Sequence, residues 1–232
     1  MAMAETPTTP RRSGRRLIYG VLFLAAGVAL VLGALFTASR RQQRAVEDIR
    51  ALGGRVSYDF EVDENGDLPG DHAPSEMSWM ARCCGVDFVH HVRRVDLAGT
   101  PVRDLSLLRP LSQLRRLNFD RTLVSDLGPL QHMLELRRLD LQATQVEDLW
   151  PLQNLKRLRH LDLYGTEVRD LTPLQELHQL EHLGLSGTDV DDLTPLMRLY
   201  QLQYLGLSGA RVSEEATERL RKARPRLLII TD

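Results

Sequence analysis

The chain has 232 residues, a formal net charge of -1 and only 5% aromatic residues. A near-neutral balance offers no bulk electrostatic footprint for nucleic acid, and burial falls to aliphatic side chains, leucine above all. The two cysteines, Cys83 and Cys84, are adjacent. They cannot staple distant segments, and no CxxC pair offers thiolates to zinc.

Residues 1–16 form a short basic tail carrying Arg11, Arg12, Arg15 and Arg16. Leu17 to Phe36 reads LIYGVLFLAAGVALVLGALF, without a charge. About 20 apolar residues is the length that crosses a bilayer core, so residues 17–37 are read as a transmembrane helix. Arg40, Arg41 and Arg44 follow it. Both flanks are basic, and the four arginines crowded into the tail favour a cytoplasmic N-terminus with the rest of the chain outside. A cleaved signal peptide is the competing reading, with Thr37-Ala38-Ser39 as its cleavage site. Signal cores run to about 7–15 apolar residues, shorter than this run, so the anchor is preferred. The RRSGRR run is read as a topology signal rather than a lipid-headgroup site.

Residues 38–91 read as a juxtamembrane helix and N-terminal cap. Ala45 to Leu52 has helical spacing and stops at Gly53-Gly54, and Arg55 to Val62 alternates as a strand. Ser75 to Cys84 predicts a second short helix with Ser75 at its N-cap and Met77, Trp79 and Met80 on its apolar side. The cysteines then read as buried fillers. Asp63-Glu64-Asn65-Gly66-Asp67 begins like a calcium loop but has Leu68 and Pro74 where glycine and an acid are required, so it is read as a polar turn.

From Val92 the sequence repeats every 22 residues, with units starting at Val92, Leu114, Leu136, Leu158, Leu180 and Leu202. The shared pattern is L-x-x-L-x-L-x-x-T-x-V-x-D-L-x-P-L-x-x-L-x-x. Unbroken self-similarity of this kind marks a solenoid. Leu-x-Leu alternation, as in Leu139 and Leu141, gives a short strand with one buried face. Asp104, Asp126, Asp148, Asp170 and Asp192 are placed to cap a helical or 3₁₀ turn, and Pro129, Pro151, Pro173 and Pro195 suit its start. Roughly seven apolar side chains per unit cannot fold alone, whereas stacked units bury a continuous core.

This pattern, over residues 92–213, resembles the leucine-rich-repeat family, whose strand motif is L-x-x-L-x-L. The 22-residue length and the D-L-x-P-L segment resemble the short repeats of internalins and of a regulatory subunit of protein phosphatase 1. The resemblance implies an α/β solenoid: a curved stack with a parallel β-sheet on its concave face and short 3₁₀ or irregular turns on the convex one, here with one N-terminal transmembrane helix. The family's ninth-position asparagine is replaced by Thr100, Thr122, Thr144, Thr166 and Thr188, then Ala210. A hydroxyl can still bond to backbone, with fewer contacts than an amide. Residues 214–232 read as a C-terminal cap, a helix begun by Ser213 and followed by a strand over Leu227 to Ile230.

In such a sheet, positions three, five and seven of each unit point to the concave face. Position three reads Arg94, Arg116, Arg138, His160, His182 and Tyr204; position five includes Asp96, Asp140, Asp162, Gly184 and Gly206; position seven includes Tyr164. The first three units thus carry an arginine column beside an acidic one, read chiefly as a self-neutralising polar face. In the last three, His160, His182, Tyr164 and Tyr204 surround bare glycine positions, a candidate recognition pocket. His160 and His182 supply two metal donors without an apparent third, so no metal is assigned. Trp150, where other units have Ser, Gly or Thr, is expected to pack across a neighbouring turn.

None of the hydrolase, nucleotide-binding or metalloprotease motifs is present, and no catalytic residue or cofactor is assigned. The expected function is binding of a protein or extracytoplasmic ligand by a single-pass membrane protein, with Arg94, Arg116, Arg138, Asp140, Asp162, His160, His182, Tyr164 and Tyr204 as candidate contacts. Two alternatives remain: a regulatory subunit docked on a cytosolic enzyme such as a phosphatase, and a structural envelope protein that self-associates weakly.

Overall fold

The structure is a computed structural model that describes residues 13–59, 61 and 90–231. Helix α1, Ser13–Ala51, is one continuous helix of 39 residues. It joins the apolar run and the expected juxtamembrane helix without a break. From Ala26 onward its side chains are described, Leu32 aside, and Val28, Leu30, Val31, Leu35 and Phe36 are all more than half exposed. Among the described residues no helix is long and apolar enough to cross a membrane.

The last turns of α1 behave differently. Ala45, Val46 and Ile49 are buried in the same core as the repeats, and the Gln42 amide donates to the His90 carbonyl at 2.8 Å. The helix end covers what would otherwise be the open end of the stack. Gly54 lets it come that close: a Cβ there would lie 2.6 Å from Leu97 Cδ2, 2.8 Å from Ile49 Cγ2 and 3.0 Å from the Ile49 carbonyl. Strand β1, Arg55–Tyr58, follows and runs antiparallel to β2, Val92–Asp96. It is shorter than the alternation predicted. Glu61 folds back so that its carboxylate accepts from the Tyr58 amide at 2.8 Å, and its own amide donates to the Tyr58 carbonyl at 2.9 Å. This turn ends the pairing. The expected helix over Ser75 to Cys84, the cysteines and the polar turn lie outside the described residues.

From β2 the sheet is parallel: β3 (Arg116–Asn118), β4 (Arg138–Asp140), β5 (His160–Asp162), β6 (His182–Gly184), β7 (Tyr204–Gly206) and β8 (Leu228–Ile230), each pairing with the next. Register is constant, so Arg94, Arg116, Arg138, His160, His182 and Tyr204 form one column. The alternation explains it, since slipping one residue would turn every buried leucine to solvent. The repeated leucines and valines fill one continuous core, and Phe119 replaces leucine in the second unit.

Each of the first five units returns through a 3₁₀ turn on the convex side: Ser106–Leu108, Gly128–Leu130, Trp150–Leu152, Thr172–Leu174 and Thr194–Arg198. The aspartate two residues before each turn accepts from that turn's first amide at 2.8 Å in all five. These bonds to the charged form hold the Asp104 and Asp192 carboxyls below the ordinary carboxylate range, the Ser106 and Thr194 side chains contributing most. Trp150 opens its turn and is half exposed rather than packed away.

The threonine ladder is buried and closes on itself. Each hydroxyl donates to the carbonyl three residues back, between 2.6 and 2.8 Å, from Thr100 to Leu97 through Thr188 to Leu185. Where the family's asparagine ties neighbouring units together, these hydroxyls stay within their own. Backbone bonds make the link instead, among them Gly99 N to Asp120 O and Ala143 N to Tyr164 O.

At the far end, helix α2 (Glu214–Ala223) begins with the Ser213 hydroxyl accepting from the Ala216 amide. Buried Arg224 then donates to the Leu199 and Leu202 carbonyls with its guanidinium 5.3 Å over the Tyr200 ring. It thus satisfies carbonyls that the end of the stack would leave open. Leu227, just before β8, and Ile229 within it close the core. Leu228 and Ile230 are exposed and extend the concave columns of Tyr204 and Gly206.

Candidate functional site

The concave columns fall into two halves. Toward the N-terminus the charges neutralise one another. Arg94 lies 3.8 Å from Asp96, which also meets Arg55 at 3.6 Å. Arg138 grips Asp140 with Nε at 3.0 and 2.9 Å from its two oxygens. Asp140 is buried beneath this pair, so it supports Arg138 and is not an accessible contact. Asp120 accepts from the Gln142 amide at 2.9 Å, and the Gln142 side chain donates to Asp162 at 2.8 Å. Burial pushes the Asp120 carboxyl up, and Asp140 and Asp162 add to the effect.

The C-terminal half is aromatic. The strand register stacks His160 on His182, with ring centroids 4.3 Å apart and planes 10° from parallel. Tyr204 follows at 6.1 Å, tilted by 34°. Arg138, Asp140, His160, Asp162, His182, Gly184 and Tyr204 surround a concavity of about 300 Å³. Its floor is kept open at Gly184, where a Cβ would stand 2.6 Å from an Asp162 oxygen. Burial, then His182 and Arg138, push the His160 imidazole down to about 4. It is therefore neutral at pH 7, and the two rings can stack without mutual charge repulsion.

Six of the nine sequence-predicted residues thus meet at one concavity: Arg138, Asp140, His160, Asp162, His182 and Tyr204. Tyr164 stands apart, exposed beside Gly187, and Arg94 and Arg116 lie further down the stack. One residue was missed. Glu181, at position two of its unit, reaches the lip of the concave face, where a carboxylate oxygen and one nitrogen each of His160 and His182 lie within 4.8 Å of one another. The signal was faint: Glu181 precedes His182 directly, but position two lies outside the alternation that marks the concave face.

The register, the turns and the continuous leucine core define a leucine-rich-repeat solenoid. Comparison with solved structures gives the same class. A leucine-rich-repeat protein of Leptospira interrogans matches with a TM-score of 0.56 at 22% identity, over 60% of this chain and 36% of that one. Internalin C2 of Listeria monocytogenes matches with a TM-score of 0.54 at 25% identity, over 59% of this chain and 60% of the internalin. The chain therefore spans less than two thirds of either neighbour. No protein-family model matches it, and no curated protein does.

Proposed function

We propose that the chain is a binding protein whose repeats, of the short internalin-like type, recognise a protein or envelope ligand on the concave face. The observation that carries this reading is the His160–His182–Tyr204 column over an open concavity. Most charged side chains around it already have partners within the chain, while these aromatic faces offer partly exposed surface of the kind enriched at interface hot spots. Catalysis is not part of the proposal. The same reading places the apolar run of α1 in a membrane, with the N-terminus cytoplasmic and the repeats outside. Its support is the row of exposed apolar side chains from Val28 to Phe36 and Arg40 at the basic end, 4.9 Å over the Phe36 ring.

Crosslinking and pull-down of the tethered protein from its native membrane tests the binding face. His182→Ala and Tyr204→Ala are each expected to cost about 2 kcal/mol, roughly 30-fold in affinity, with Tyr164→Ala costing less because it lies outside the concavity. If all three variants retain every partner, the concave face is not the interface. Protease added to sealed vesicles of known orientation tests the topology. Digestion of the repeats only from the cytoplasmic side would favour an enzyme-docking regulatory subunit instead. A second reading, self-association, is favoured by β8, whose exposed Leu228 and Ile230 lie on the terminal strand of the sheet. A monomeric mass for the detergent-solubilised chain would remove it.

A further inference from the structure

We propose that His160, Glu181 and His182 form a site for one divalent cation of the zinc class at the lip of the concave face. The proposal does not depend on the identity of any protein partner. Strands β5 and β6 place the two imidazoles side by side at their N-terminal ends, and Glu181 immediately precedes the second, so the three donors gather where these adjacent strands begin. Their ligating atoms already lie within 4.8 Å of one another. Zinc bonds of about 2.0–2.1 Å put tetrahedral donors about 3.3 Å apart. Rotation about side-chain bonds closes that difference and leaves the strands in place. Two imidazoles and a carboxylate suit zinc and related ions, whereas calcium and magnesium favour all-oxygen sites. Three protein ligands leave a fourth position for water or for a side chain of a bound protein.

The surrounding charges set the terms. Arg138 is held by Asp140, and Asp162 and Tyr204 complete the wall. Arg159 is the direct competitor, 3.8 Å from the Glu181 carboxylate. A cation must take Glu181 from it, which yields a test that a merely structural role would not satisfy.

The experiment is calorimetric titration of zinc chloride into the detergent-solubilised full chain carrying Cys83→Ser and Cys84→Ser, which removes competing thiols. One ion per chain is expected. Loss of even an outer-shell partner of a metal ligand costs roughly 10–100-fold in affinity. His160→Asn, His182→Asn and Glu181→Gln should therefore each weaken binding at least 10-fold, with circular dichroism unchanged. His178→Asn, outside the cluster and beside Glu176, should leave it alone. Arg159→Gln should tighten binding by releasing Glu181. The proposal is overturned if the cysteine-free chain binds no zinc saturably, if the three ligand variants bind as the parent does, or if Arg159→Gln fails to tighten binding.

Discussion

Asp120 shows how a repeated surface sets the protonation of one residue. Partial burial penalises its charged form first, and Asp140 and Asp162 on the following units add repulsion. The hydrogen bond from Gln142 and the charge of Arg138 offset only part of this. The folded carboxyl is thus raised above its unfolded value. A raised acid contributes stability that is present below its unfolded pKa and is lost as pH rises through the folded one. At pH 7 the charged form is the burden. Asp120→Asn keeps an acceptor for the Gln142 amide and removes the charge, so the variant is expected to melt above wild type at pH 7. The gap should close as pH falls through the carboxylate range, because the wild-type side chain then becomes neutral too. Thermal melts across pH 3–8 check this, and a gap that is constant with pH would contradict it.

At the scale of the element, the turn after each strand is one design used six times with unequal sequences. Gly99, Gly165, Gly187 and Gly209 adopt φ between 65° and 70°, while Arg121 and Ala143 adopt 55° and 51° at the equivalent position. A side chain in the left-handed region costs roughly 1–2 kcal/mol relative to glycine. The turn persists in those two units because neighbouring turns fix it on both sides: Ala143 N donates to Tyr164 O at 2.7 Å, and Arg121 N to Gln142 O at 2.7 Å. Ala143→Gly should raise stability by about 1 kcal/mol, read as a shifted denaturant midpoint at constant slope. Gly165→Ala should lower it by a similar amount. Glycine at this position in four units marks the turn in the sequence. What the sequence could not show is that the other two would be forced into the same backbone, since that is imposed by their neighbours. The same limit governs the site. The period of 22 placed His160, His182 and Tyr204 in one column, because register follows from buried leucines. It could not place Glu181 beside them or bury Asp140, because side-chain reach and ion pairing are not periodic properties. Leu228 and Ile230 obey the same alternation: exposed, they take the concave positions beside Tyr204 and Gly206, while Ile229 between them packs against the core.

For the whole molecule, the consequence of stacking is that each repeat is stabilised by its two neighbours, and an end repeat by one neighbour and a cap. Among the described residues the end of α1, with β1 beside it, covers the N-terminal end of the stack. The helix whose other portion we propose to sit in a membrane inserts Ala45, Val46 and Ile49 into the repeat core, so its exposed apolar stretch and the solenoid core are joined by one continuous helix. Gly54 is where that union is most exposed to a single substitution. Its surroundings include the Ile49 carbonyl, which cannot rotate away as a side-chain methyl can. Gly54→Ala must therefore push the helix end away from β1 and the first 3₁₀ turn or displace Leu97 from the core, an overpacking cost of about 1–3 kcal/mol. Because the interactions are between nearest neighbours, the damage should be graded. Hydrogen exchange should rise most at β1 and β2, less at β3, and not at all at β6 and β7. Uniform loss of protection along the stack would mean that the solenoid unfolds as one cooperative body, and no change at β1 and β2 would mean that the helix end is not the cap.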